Sequence, residues 1–172
     1  MRARNYREVK GQPYTRKKFV RGFPPSKITK FTMGDTKTKF EYEANLIAQK
    51  KAQIRHNALE AARIATNRYL EESLSKDYCL RIRPYPHNIL RENKMIFGAH
   101  ADRLQDGMRR SFGKPIGTAA RIRPNQTIII VNVNTDGVEA AKEALKRGSA
   151  KLPIPCRTTI EKMQTEEVKI VD

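Results

Sequence analysis

The chain has 172 residues, 38% of them hydrophobic and 31% charged, and its 35 Lys and Arg against 18 Asp and Glu give a formal charge of +17. That length suits one core of about 100 to 200 residues with an appendage, and no apolar run approaches the roughly 18 to 20 residues of a membrane span. Two cysteines without a CxxC partner and three isolated histidines argue against a disulfide framework and the usual zinc spacings, whereas so large a positive excess repels itself unless a polyanion neutralises it.

The excess is unevenly spread. Residues 1–39 hold 12 Lys and Arg against 2 acids and residues 91–123 hold 8 against 3, whereas residues 124–172 are balanced at 7 against 7. Residues 1–36 read as an extended basic N-terminal arm. Its aromatics Tyr6, Tyr14, Phe19, Phe23 and Phe31 follow neither helical nor strand period, and alone it cannot bury enough apolar area to offset its chain entropy. Its cations Arg2, Arg4, Arg7, Lys10, Arg16, Lys17, Lys18, Arg21, Lys27 and Lys30 suit phosphates, while the rings either stack on bases or anchor the arm on its own core. "MRARNYREVKGQPYTRKK" has no apolar stretch to follow it, so no secretory signal is expected and a cytoplasmic location is.

Residues 37–172 read as a single domain. Phe40, Tyr42, Ala44 and Leu46 alternate with Lys39, Glu41, Glu43 and Asn45, the pattern of a half-buried strand. "HNALEAARIATNRYLEESL" is predicted to be a helix, with Asn57 as N-cap and Glu60 completing a capping box. Its apolar rows are Ala58/Leu59, Ala61/Ala62, Ala65, Tyr69/Leu70 and Leu74. A strand follows with Tyr78, Leu80 and Ile82 inward, closed by Pro84 and Pro86. "AARIRPNQTIIIVNVN" supplies another strand or hairpin. A second helix is expected from Asp136 to Gly148, then one short strand from "CRTTIEKM" and a frayed end. Cys79 and Cys156 are expected as buried thiols. The element order fits an α+β class: a two-layer sandwich, a mostly antiparallel mixed sheet with two helices on one face, an extended arm and a long internal loop.

That loop, about residues 98–118, contains "DGMRRSFGKPIG" and has no periodicity, which inside a domain usually marks function or disorder. A Walker-type phosphate loop fails here, because Gly107 and Gly113 enclose five residues and Lys114 is followed by Pro115 instead of Ser or Thr. What remains is a glycine-hinged finger that joins Arg103, Arg109, Arg110 and Lys114 to the hydrogen-bonding Gln105 and Ser111 and the stacking ring of Phe112. No GxSxG, dinucleotide fingerprint or activated cysteine appears, so catalysis is unsupported and neither cofactor nor metal is expected. An RNA-modifying enzyme or its RNA-binding subunit is the alternative, and it would need a nucleophile or general base in a cleft. A DNA-binding regulator would want a basic exposed helix, and the first helix exposes Glu60, Glu71 and Glu72.

"QPYTRKKFVRGFPPSKI", "QIRHNALEAAR", "RIRPYPHNILRENKM" and "ADRLQDGMRRSFGKPIGTAARI", in this order over nearly the whole chain, resemble the archaeal form of the large-subunit ribosomal protein L-ten-e family, the counterpart of bacterial L-sixteen. The resemblance implies a non-enzymatic constituent of the large subunit, lodged in rRNA near the peptidyl-transferase centre. It implies that the arm's cations bind rRNA and that Arg103, Gln105, Arg109, Arg110, Phe112 and Lys114 lie at the tip facing the tRNA acceptor end. Partners would be large-subunit rRNA, tRNA and neighbouring ribosomal proteins, with no membrane and no homo-oligomer. His100 departs from the family, which more usually has glycine there, and the end at Asp172 fits the archaeal form.

Overall fold

The computed structural model describes residues 6–9, 11–12, 17–96, 98 and 107–163, with residues 17, 107 and 110 described by backbone alone. The described strands are β1 (Thr32–Gly34), β2 (Tyr42–Ala48), β3 (Ala52–Arg55), β4 (Tyr78–Ile82), β5 (Asn88–Glu92), β6 (Lys114–Ile122), β7 (Thr127–Val133) and β8 (Cys156–Lys162). The α-helices among the described residues are α1 (His56–Leu74) and α2 (Val138–Ser149). The α+β class stands, and the strands divide into two sheets, β1-β4-β7-β2-β8 and β3-β6-β5, whose pairings are all antiparallel.

The division happens at one corner. β2 ends at Ala48 and the chain re-enters as β3 in the small sheet. Beside it, β6 leaves the small sheet and turns through Asn125, at φ +59°, into β7 in the large one. The amide of Asn125 donates to the Ala48 carbonyl at 2.8 Å, and the Ala48 amide donates to Gln126 at 3.0 Å. β6 and β7 therefore form no hairpin with each other. Each sheet carries aliphatic residues into a shared core: Ile54, Ala120 and Ile122 from the small sheet, and Ala44, Leu46, Leu80, Ile129, Val131 and Val133 from the large one. Full burial of each large aliphatic side chain contributes about 1.5 to 3 kcal/mol.

On α1 the buried residues are His56, Leu59, Ala62, Thr66 and Leu70, spaced at three and four as the period requires. The stripe is shifted from the expected rows: Ala61 is exposed and Thr66 is buried. The reason is the crossing of α2, where Gly148 brings its backbone so close to α1 that a Cβ would lie 2.3 Å from Thr66 Oγ1. Gly148 therefore serves helix packing, not helix termination. The capping box does not form, because the N-cap of α1 is Arg55, two residues before Asn57; α2 starts at Val138 behind a 3-10 turn at Thr135–Gly137, and neither helix has a side-chain cap bond.

Three strands, β1, β3 and β5, fall where no strand period was visible. β1 lies inside the segment assigned to the arm, pairing Thr32 to Gly34 with Arg81 to Cys79, and Ile28 is buried in the core. The long loop is also displaced: pairing of Leu90 with Gly117 and Glu92 with Lys114 makes residues 114–118 strand, so the excursion spans 93–113. Pro115 is tolerated because β3 pairs only with Ala119 to Ile122, leaving β6 a single neighbour there. Asn45, expected outside, is 6% exposed. Cys79 is buried and Cys156 only half-buried, and burial pushes both thiols up from the ordinary cysteine range.

Candidate nucleic-acid interface

The arm crosses the edges of both sheets. At the open edge of β3, the Gln53 amide donates to the Arg7 carbonyl at 2.8 Å and Gln53 Nε2 donates to the Tyr6 carbonyl at 2.8 Å. The Arg55 guanidinium lies 5.6 Å from the Tyr6 ring centre, and Arg121 donates to the Gly11 carbonyl. Further on, the Lys27 amide donates to His56 Nδ1 at 2.9 Å, and the Ile82 amide donates to the Phe31 carbonyl at 2.8 Å. These backbone contacts leave the side chains of Arg7, Lys18, Arg21, Lys27 and Lys30 exposed. Arg2, Arg4, Lys10 and Arg16 lie outside the described residues, and Lys17 falls in a 3-10 turn at Lys17–Phe19. The rings divide as both readings allowed: Phe31 packs on the core, whereas Phe19 is 73% exposed with Lys18 Nζ 5.8 Å from its centre.

His56 joins arm, α1 and β6, since a Cβ at Gly117 would lie 3.0 Å from His56 Nε2. Desolvation first, then the charges of Arg55 and Lys27, hold its pKa below the ordinary 6.5, and Nδ1 must stay unprotonated to accept the Lys27 amide. The unfolded chain therefore takes up a proton at higher pH than the folded one. Its contribution to stability is complete above about pH 6.5 and is lost as pH falls from there towards the folded pKa. Thermal melts of the parent should drop in midpoint between pH 7 and pH 5 by more than those of His56→Asn, whose amide oxygen replaces Nδ1; parallel profiles would rule His56 out as the clip.

The finger rises from the stem of β5 and β6. Arg91, which no motif or period singles out, organises its base. Its Nε donates to the Gly113 carbonyl at 3.1 Å and its guanidinium stacks 3.1 Å from the Phe112 ring centre. Gly113, at φ +77°, allows the turn, because a Cβ there would meet the Glu92 backbone at 2.5 Å. Arg109, on a 3-10 turn at Gly107–Arg110, is exposed, as are Phe112 and Lys114, and Lys114 opens β6. Arg103, Gln105 and His100 lie outside the described residues, and so does the side chain of Arg110. A second ring group, also missed, stacks Phe31 on Tyr85 at 5.5 Å and sets His87 tilted against Tyr85 at 4.7 Å, beside the exposed Arg83. Strand alternation broken by two prolines hid it.

Charge is partitioned between the layers. The ion pairs among the described residues lie on the helices: Arg63–Glu60 at 2.6 Å, Arg68–Glu72 at 3.0 Å, and Arg147 and Lys146 on Glu143 at 3.3 and 3.8 Å. Among the described residues the arm presents Arg7, Lys18, Arg21, Lys27 and Lys30 at the surface, the form a polyanion-binding surface takes. Among the described residues no group of three His, Cys, Asp or Glu could hold a metal ion, and no described helix is long and apolar enough to cross a membrane.

Residues 9–159, which include most of the arm and all of the finger, match the family model of ribosomal protein L16p/L10e. The chain belongs to the L16p/L10e family. It is 50% identical to the large ribosomal subunit protein uL16 of Staphylothermus marinus over 163 residues, 94% of each chain. It is 52% identical to that of Sulfolobus acidocaldarius over 161 residues, 92% of this chain and 90% of the relative. It is 50% identical to that of Methanococcus maripaludis over 163 residues, again 94% of each. L16p/L10e proteins are ribosomal proteins, not enzymes, which agrees with the absence of a catalytic motif in the sequence. The family's match runs through the arm, the β5–β6 stem and both sheets as one unit.

Proposed function

We propose that this chain is a structural constituent of the large ribosomal subunit, working in the cytoplasm, that binds rRNA near the peptidyl-transferase centre and helps position tRNA. Residues 1–36 act as the rRNA-binding arm and residues 37–172 as the scaffold domain, with other ribosomal proteins as neighbours and no homo-oligomer. The observation that carries this is the partition of charge: Arg63, Arg68, Lys146 and Arg147 of the helices are matched by Glu60, Glu72 and Glu143, whereas Arg7, Lys18, Arg21, Lys27 and Lys30 of the arm are exposed. The relatives' name and the near-complete coverage of both chains support the same reading. Phe19 and the tilted Tyr85/His87 pair offer faces to unpaired bases.

Arg103, Gln105, Arg109, Arg110, Phe112 and Lys114 face the tRNA acceptor end in this reading, carried by a stem that Arg91 braces. A charged hydrogen bond contributes about 1.5 to 3 kcal/mol, so particles carrying Arg103→Ala, Arg109→Ala and Arg110→Ala should bind tRNA about tenfold more weakly or worse. Such particles should still assemble and sediment as the parent does. Unchanged tRNA affinity would remove the finger from the tRNA site, and failure to assemble would make it an rRNA anchor.

A further inference from the structure

The face of the large sheet turned away from the helices carries a cluster that the rRNA-binding reading does not use. Strand register places Glu43 directly opposite Glu161 on one side and Asn132 on the other, and places Asn45 directly opposite Thr159 two residues along. Ala44 and Leu46, which alternate with these residues, point into the core, so the five share the outer face. Two carboxylates directly opposed across an antiparallel pair repel each other. Around them Asn45 Oδ1, Asn132 Oδ1 and Thr159 Oγ1 are buried oxygens without a hydrogen-bond partner. Asn45, itself 6% exposed, donates its Nδ2 to Glu43 Oε1 at 2.8 Å, which fixes its unused oxygen beside the carboxylates.

In a chain of +17, this site sets two carboxylates among three unmet side-chain oxygens. Each unmet buried acceptor costs free energy that only a donor recovers. The nearest cations on the same face do not supply it: Arg81 stands two strands from Asn45, across β7, and Arg157 donates to Asn125 Oδ1 at 3.4 Å. RNA is a poor occupant, since its phosphates would meet Glu43 and Glu161. A guanidinium or ammonium offers several donors and one positive charge, matching two carboxylates and three orphan oxygens. We propose that this face docks a basic segment of a neighbouring protein, with an Arg or Lys side chain inserted between Glu43 and Glu161 and bonded to Asn45, Asn132 and Thr159.

The inference rests on the chain residing in a multiprotein particle, so its test separates the two. Tagged full-length chain carrying Glu161→p-benzoylphenylalanine is assembled in cells, the large subunits are isolated and irradiated, and the adducts are read by mass spectrometry. If the variant and the parent fail to co-sediment with large subunits, it is the functional reading that falls. If they co-sediment, the expected adduct is a protein segment rich in Lys or Arg; an adduct to rRNA, to this chain itself, or to nothing overturns the docking proposal. Two further readouts use Glu43→Gln with Glu161→Gln. The isolated double variant should melt at or above the parent temperature, because a repulsion is removed, yet wash from particles at lower salt than a Glu72→Gln control. A lowered melting temperature, or release at the control's salt, would mean that the carboxylates serve the fold alone.

Discussion

Raising salt from about 50 to 200 mM is expected to weaken binding of the isolated chain to large-subunit rRNA by about 10³- to 10⁵-fold, the loss that follows when about 6 to 10 phosphate contacts release their counterions. The estimate follows from where the cations are held. Those on α1 and α2 are largely matched by Glu60, Glu72 and Glu143 and release little. The arm, the finger and the small-sheet edge supply the remainder, with Arg7, Lys18, Arg21, Lys27, Lys30, Arg109 and Lys114 exposed among the described residues. Filter binding across a salt series measures the slope. Replacing Lys18, Arg21 and Lys30 together by Gln should reduce the slope by about three contacts, whereas replacing Arg68 and Lys146 should leave it unchanged. A flat response, or equal effects from the two sets, would contradict the partition of charge.

Gly148→Ala is expected to destabilise the chain by about 1 to 3 kcal/mol, although alanine is about 1 kcal/mol better than glycine inside a helix. The new methyl would stand 2.3 Å from Thr66 Oγ1, and Thr66 cannot swing away, being fully buried and donating to the Ala62 carbonyl at 2.9 Å. For a domain of this size each kcal/mol moves the midpoint by about 2 to 4 °C. Thr66→Ala in the same chain removes the obstructing oxygen, so the double variant should recover most of the loss, with a coupling of about 1 to 2 kcal/mol. Additive effects in a double-mutant cycle would mean that the helices separate at no cost and that Gly148 has another purpose.

What could be read in the sequence was what depends on local period. The alternation from Phe40 to Leu46, the inward Tyr78, Leu80 and Ile82, and the β-branched run of β7 all fall in strands or in the core as expected, because each is patterned against one buried face. β1, β3 and β5 were hidden by length: three to five residues give at most two alternations, and their pairing partners are far along the chain. Thr66 is absent from the expected apolar rows and Gly148 reads as a helix end for one shared reason, since a close helix crossing replaces apolar bulk with small residues that look polar or like a stop. The finger's basic and aromatic content was legible, but its brace was not, because Arg91 acts through the Gly113 carbonyl 22 residues away. The corner at Ala48 that splits the strands into two sheets depends on hydrogen bonds to Asn125 and Gln126, which no periodicity encodes.

Sedimentation of a cell lysate, with and without ribonuclease, separates a subunit constituent from a free RNA-binding protein. The chain should travel with large subunits in high-salt gradients, appear in light fractions only after ribonuclease treatment, and be present at one copy per particle. Recovery in light fractions before any treatment would contradict its place in the large ribosomal subunit.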